Sequence, residues 1–331
     1  MIPTLFLLGP SDIEGKNVTT SAYAEDGTRI MTADVTGVLP LLPFVTGDRL
    51  LSADSYSVML GVNQIRLPPN PRVNIFNLMG DPDACSGSLH HIQVIANKVK
   101  PQRFFNEPSN VFKTSRARLP TTLAGIPGCI VPRVEAADPA DFSELHALCD
   151  DFGCWPMIVR ARGYHGGDRM ILVSGPAQLE SFSDLTWLYD GICLVEYIDY
   201  KDEGGLYQKN RVIVIDGVAY PRHATLSDKW IIHAGSRNEL MSEDLSLSHR
   251  EEEFLARGLQ QYTPVFREIY ERIGLDIFGI DFALVNGEIV IFEANPCMKF
   301  LDRKYGDARF QYLDDHVKAL QRAIRKMLLH P

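Results

Sequence analysis

The sequence predicts a mixed fold, an α/β unit followed by a strand-rich α+β region. Three observations carry this reading. A strand–helix–strand succession lies before residue 108, an antiparallel pattern sets in at Pro156, and two-residue hairpin turns stand at Asp216-Gly217 and Asn286-Gly287. The chain has 331 residues, 45% of them hydrophobic, which is enough for two or three subdomains with cores of their own.

Residues 4–8 read as a buried first strand. The apolar start is short, lacks a basic leader and runs into Gly9-Pro10, so it does not read as a signal peptide. Residues 73–77 and 103–105 read as further strands, with a helix over 88–99 that ends before Pro101. Segment 10–72 is rich in proline, glycine and polar residues. A helix is expected over 112–123, followed by a turn at 125–128. Strands follow at 157–161, 170–174 and 193–197, with glycines at 163, 166 and 167 between the first two and a helix at 180–188. Strands 211–215 and 219–223 form one hairpin and 277–285 and 288–292 another. A long helix is expected over 248–273. The last, over 313–329, carries Leu313, Val317, Leu320, Ile324 and Met327 on a core-facing stripe.

Composition narrows the function classes. A net charge of -9 opposes approach to a polyanion, and the basic residues form no long run, so nucleic acid is not an expected partner. No run of 18 apolar residues occurs, so no membrane span is expected. The six cysteines lack C-x-x-C and zinc-ligand spacing, which suits reduced thiols and a cytoplasmic setting.

The chemistry-bearing pattern is Gly279-Ile280-Asp281-Phe282, then Ile291-Phe292-Glu293-Ala294-Asn295-Pro296. Glu293 and Asn295 are two apart and share a strand face, and the tight hairpin brings Asp281 beside them. Two carboxylates and an amide oxygen are hard ligands suited to magnesium together with phosphate oxygens. The alternative is that these acids merely face water at a strand end.

An aspartate followed by E-x-N-P resembles the metal site of the ATP-grasp superfamily, in the branch of glutathione synthetase, D-alanine–D-alanine ligase and the ligases that glutamylate a ribosomal protein. The resemblance covers about residues 103–300. It implies an ATP-grasp fold with an N-terminal Rossmann-like α/β domain, divided as 1–108, 109–197 and 198–331. It further implies ATP and magnesium, two ions being the expected number and manganese an alternative ion, held by Asp281, Glu293 and Asn295.

Leu194-Val195-Glu196-Tyr197-Ile198 resembles the family's hinge. There Glu196, Tyr197 and Ile198 would read adenine, and Glu203 would accept from the ribose, with Asp199 and Asp202 as competitors. Arg160 stands where the family's phosphate lysine usually does, ahead of Gly166 and Gly167 of the phosphate loop. Lys113, with Arg116 second, matches the lysine preceding A-G-I-P; a solvated helix face is the plain reading for either alone. Arg211 or Arg222 would hold the γ-phosphate or acyl phosphate. His223, Trp230 and His233 would shape an acceptor pocket, with a core histidine as the alternative for His233. Cys297 reads as a bystander that lines the site.

The implied reaction is carboxylate–amine ligation through an acyl phosphate, on small-molecule or peptide substrates. A hydroxyl kinase and a silent ATP-binding regulatory protein are the alternatives. Oligomeric state stays open, a homodimer among the options.

Overall fold

In the computed structural model the described residues are all but 1, 14–16, 24–28, 61–71, 165, 234, 303–306 and 331. Part of segment 10–72 therefore lies outside them, as does His165 of the glycine-rich turn. The strands are β1 (Thr4–Leu8), β2 (Asn17–Tyr23), β3 (Arg29–Val35), β4 (Ser55–Met59), β5 (Asn74–Asn77), β6 (Phe104–Phe105), β7 (Cys129–Ile130) and β8 (Val134–Ala137). They continue with β9 (Met157–Ala161), β10 (Met170–Val173), β11 (Ile192–Glu196), β12 (Tyr207–Ile215), β13 (Val218–Ser227), β14 (Ile277–Val285) and β15 (Glu288–Asn295).

The N-terminal sheet has order β4-β1-β5-β6, with every pairing parallel. Its centre is an aromatic row set by that register. Phe6 lies opposite Phe76 and Phe76 opposite Phe105, with ring centroids 5.4 Å apart at each step. Helix Ser86–Val99 packs on this sheet through Leu89, Ile92 and Ala96. Parallel strands need such a crossover, and its apolar stripe covers one sheet face.

A second sheet, β10-β9-β11-β8, is wholly antiparallel. It has its own core with helix Phe142–Phe152, centred on Leu145, Met157, Val159, Ile192 and Leu194. Asp141 caps this helix by accepting the Glu144 N–H, and Gly153 closes it in the left-handed region at φ +66°.

The third sheet runs β13-β12-β14-β15-β7 and shares one core with the N-terminal sheet. Its two hairpins turn on Asp216-Gly217 and Asn286-Gly287, each with both residues at positive φ. This is the two-residue turn expected from the sequence. The short strand β7 joins the far edge from the middle of the chain.

Three expected helices are broken. Over 248–273 there are two, Ser246–Arg257 and Thr263–Ile273, because Gly258 ends the first and Pro264, which has no N–H to donate, opens the second. Over 112–123 only the 3-10 turn Phe112–Thr114 and the single turn Leu119–Thr122 form, separated at Ser115 by an extended ψ of 145°. Over 180–188 the chain makes two 3-10 turns, Glu180–Phe182 and Thr186–Tyr189, parted by the extended Leu185. All six cysteines are free thiols. Among the described residues no helix is long and apolar enough to cross a membrane.

Candidate active site

A cleft of about 520 Å³ lies between the second and third sheets. Its floor is a row of charge that β-register creates. Arg211 on β12 lies opposite Asp281 on β14, and Asp281 opposite Glu293 on β15. The last pairing depends on a bulge. Counting back from the Asn286-Gly287 turn, Phe282 pairs with Ile291, but Asp281 pairs with Glu293, so Phe292 is the inserted residue. Without that insertion Asp281 would face Phe292, and Glu293 would sit on the opposite face of the sheet. Asn295 lies two residues further along, opposite Gly279.

Each acid is neutralised by a cation. Arg211 grips Asp281 through one two-pronged edge of its guanidinium, Nε donating to Oδ1 at 2.6 Å and Nη2 to Oδ2 at 2.8 Å. Burial alone would lower the Arg211 pKa, but the Asp281 carboxylate raises it above the usual range. Lys209, two residues before Arg211 and on the same face, brings its ammonium within 3.4 Å of Asp281. Arg116 Nη2 donates to Glu293 Oε2 at 2.8 Å. Burial opposes the charge of Arg116 too, and Glu293, Asp81 and Asp83 together outweigh it.

Arg160 projects from β9 into the same cleft. Its Nη2 donates to the Tyr164 carbonyl at 2.8 Å, while its buried Nε has no hydrogen-bond partner among the described residues. Burial, and next the charge of Arg116, pull its pKa down to about 9, which leaves it cationic at neutral pH. Gly166 and Gly167 line the cleft beside it with φ of +74° and +87°, a conformation that favours glycine and lets the backbone approach closely. Gly167 abuts the opposite wall, since a Cβ there would stand 2.9 Å from Ile231. That wall is tied to the floor. The Tyr200 hydroxyl donates to the Trp230 carbonyl at 2.6 Å, and Lys209 Nζ donates to the Ile232 carbonyl at 2.6 Å.

At the other end Glu196, Tyr197 and Ile198 line an apolar chamber with Val134, Val195 and Phe292. Glu196 Oε2 accepts the Arg133 N–H at 3.0 Å, which fixes the strand end and aims the carboxylate along the edge of the chamber. Tyr200 stacks at a tilt on Phe292, centroids 4.9 Å apart, and Tyr197 meets Trp230 edge-on at 6.0 Å. His233 also lines the cleft, its Nδ1 accepting the Gly235 N–H at 3.0 Å. His223, expected beside Trp230 and His233, lies opposite Arg211 in register but does not line the cleft. Burial, then the charges of Arg211, Arg222 and Arg237, hold it neutral.

Three other expected site residues lie elsewhere. Lys113 donates to the Arg272 and Ile273 carbonyls at 3.2 and 3.3 Å, so its charge caps the C-terminal end of helix Thr263–Ile273. Arg116, not Lys113, brings the cation of this segment into the cleft. Glu203 is exposed on a turn that Asp202 closes by accepting the Leu206 N–H, and neither it nor Asp202 lines the cleft. Arg222 is displaced by a second bulge. Val212 pairs with Pro221 and Arg211 with His223, so Arg222 is the extra residue and its side chain swings away from the cleft to backbone carbonyls of 300 and 302. Lys209 belongs to the charged segment 209–233 that is expected across the cleft from the hinge, and its position two before Arg211 in an alternating strand is the signal for its place beside Asp281.

Asp281, Glu293 and Asn295 fit a hard divalent cation as a donor set. All three present oxygen from adjoining strands at the floor of the cleft. Asn295 Oδ1 accepts from the Cys297 thiol at 3.1 Å, and burial, then Asp81 and Glu293, raise that thiol well above its ordinary pKa. No cluster of three or more His, Cys, Asp or Glu arranged for a metal occurs among the described residues, so an amide oxygen and ligand oxygens would have to complete the shell.

No family model matches the chain, and no curated protein matches it. Solved structures do. D-alanyl-alanine synthetase A from Vibrio cholerae superposes with a TM-score of 0.53 at 11% identity, over 99% of this chain and 99% of that one. An N5-carboxyaminoimidazole ribonucleotide synthetase in complex with ADP superposes at 0.51 and 10% identity, over 100% of this chain and 78% of that one. A RimK-domain ATP-grasp protein from Sphaerobacter thermophilus gives 0.47 at 10% identity, over 95% and 99% of the two chains. The first two carry the assignment: this chain has the ATP-grasp fold.

Proposed function

We propose that the chain is an ATP- and magnesium-dependent ligase that joins a carboxylate to an amine through an acyl phosphate, forming a peptide or other amide bond. The observation that carries this reading is the row Arg211–Asp281–Glu293, continued by Asn295, at the floor of a cleft roofed by a glycine-rich loop. The likeness to a D-alanyl-alanine synthetase and to an ADP-bound synthetase is consistent with it. The proposed units are 1–108, 109–197 and 198–331, with small-molecule or peptide substrates.

In this reading adenine occupies the chamber of Val134, Val195 and Phe292, read by backbone groups of Tyr197 and Ile198 and by the Glu196 carboxylate. Arg160, Arg116 and the amides of Gly166 and Gly167 contact the triphosphate. Asp281, Glu293 and Asn295 hold magnesium, which when bound supplies positive charge to the phosphate oxygens. A substrate carboxylate attacks the γ-phosphorus and ADP departs. The amine then attacks the acyl carbon, phosphate leaves with the C–O bonding pair, and the amine gives up a proton. Arg211 stands where it can turn from Asp281 to the transferring phosphoryl group. The Gly167–Ile231 contact closes the roof against water, which would hydrolyse the acyl phosphate.

The test is Glu293→Gln, assayed by ADP and phosphate release over a panel of amino acids and carboxylic acids. The variant is expected to lose turnover while staying folded. Turnover equal to the parent's would remove the metal site from the mechanism, and ADP formation without free phosphate would mark a kinase instead.

A further inference from the structure

The segment 297–302 begins one residue after β15, past Pro296, and forms part of the cleft wall, which Cys297, Met298 and Lys299 line. It belongs to no strand or helix, so no backbone ladder holds it. Two arginines do. Arg211 Nη1 donates to the Lys299 carbonyl at 3.3 Å. Arg222 donates through Nε to the Phe300 carbonyl at 2.6 Å and through Nη2 to the Asp302 carbonyl at 2.7 Å. Beneath the segment, Met298 fills the space a side chain at Gly279 would need, its sulfur 2.5 Å from where a Cβ would stand.

Arg222 is an expensive residue in that place. It is 4% exposed, and its Nη1 is buried with no hydrogen-bond partner among the described residues. Burial, then the charges of Arg237 and Arg211, lower its pKa to about 10, so it remains a cation at neutral pH. Its hydrogen bonds go only to neutral carbonyls, and the charges of Glu251 and Asp302 offset the burial only in part, so the cation is costly there. The guanidinium supplies something an apolar side chain lacks: a planar edge that spans two carbonyls two residues apart. The bulge in β13 aims it there.

We propose that Arg222 is a positioning residue, clamping 297–302 so that Cys297, Met298 and Lys299 hold one shape as the wall that receives the acid or amine substrate. The use of the wall rests on the ligase reading; the clamp does not. The experiment is hydrogen exchange by mass spectrometry on the full chain, with Mg-ADP binding by calorimetry, for Arg222→Met and Arg222→Lys. In Arg222→Met, loss of two charge-assisted hydrogen bonds should speed exchange in 297–302 by about tenfold or more. Strands β12, β14 and β15 keep their protection, and Mg-ADP binds as to the parent. Arg222→Lys, with one ammonium for two carbonyls, gives a smaller increase in the same peptide.

Unchanged exchange in 297–302 in both variants overturns the clamp. Equal loss of protection in all these strands overturns it in favour of a plain structural role, and a parallel loss of Mg-ADP affinity in favour of a nucleotide contact. If the methionine variant does not fold, the lysine variant alone decides by the same pattern. Failure of the ligase reading would show instead in unchanged turnover of Glu293→Gln and leave the exchange result standing.

Discussion

Replacing Asp281 by asparagine removes one negative charge from a place where three charged groups meet. Its carboxylate is 3% exposed and receives two hydrogen bonds from Arg211, whose side chain is 16% exposed, with Lys209 3.4 Å away. At an effective dielectric of about 20, unit charges about 3 Å apart interact by about 5 kcal/mol before desolvation is counted. Breaking a buried pair by removing one partner costs about 3–5 kcal/mol. Asp281→Asn leaves two cations facing each other and falls within that range, at about 4 kcal/mol. Arg211→Met leaves Asp281 still compensated by Lys209 and should cost about 2 kcal/mol. The double variant removes both members of the pair and should cost no more than Asp281→Asn alone, a coupling of about 2 kcal/mol or more. Urea unfolding followed by tryptophan fluorescence, without nucleotide or divalent cation, measures all three. Equal costs below about 1 kcal/mol, or a double variant additive within about 0.5 kcal/mol, would refute the buried triad.

Two further changes separate neighbouring explanations. Arg116→Gln should weaken Mg-ADP binding by about tenfold through loss of one charge-assisted contact, whereas Lys113→Gln should leave it unchanged and cost under about 1 kcal/mol as a lost helix cap; calorimetry beside urea melts distinguishes them. Gly279→Ala should cost about 1–3 kcal/mol, because its Cβ would overlap Met298, and adding Met298→Ala should recover part of that in the urea midpoint.

The sequence disclosed the hairpins because Asp-Gly and Asn-Gly adopt left-handed turns almost regardless of context. It disclosed the final helix because its apolar stripe has one period from end to end. It also placed Asp281, Glu293 and Asn295 on adjoining strands, since the tight Asn286-Gly287 turn and strand alternation bring them together. What it withheld was register. A bulge at Phe292 decides that Glu293 faces Asp281, and a bulge at Arg222 decides that this arginine leaves the cleft. The first site carries no glycine or proline; beside the second stands Pro221, which marks an edge strand or a bulge without saying which residue is inserted. Each insertion is selected by packing across three strands, which no window of one strand contains. The fate of Lys113 was hidden for a related reason: its partners are carbonyls 159 and 160 residues away, at the C-terminal end of helix Thr263–Ile273.

The charges of the cleft form a closed exchange. Asp281 and Glu293 stand opposite each other on neighbouring strands, an arrangement that like charges destabilise. They are tolerated because Arg211 reaches one from β12 and Arg116 reaches the other from the loop before Leu119–Thr122. On the proposed reading both sets of partners change together. Asp281 and Glu293 would hold the metal, which would leave Arg211 and Arg116 to turn to the phosphates. Asp281, Glu293, Arg211 and Arg116 would then each have a counter-charge before and after, so nucleotide entry would orphan none of these four ions. Either ligand alone breaks this balance: free nucleotide brings phosphates to arginines still held by carboxylates, and free magnesium brings a cation to carboxylates still holding arginines. On that reading the site would favour the metal–nucleotide complex over both of its components. The arginines are indispensable to that preference, because a guanidinium can bond carboxylate or phosphate through the same two-pronged edge.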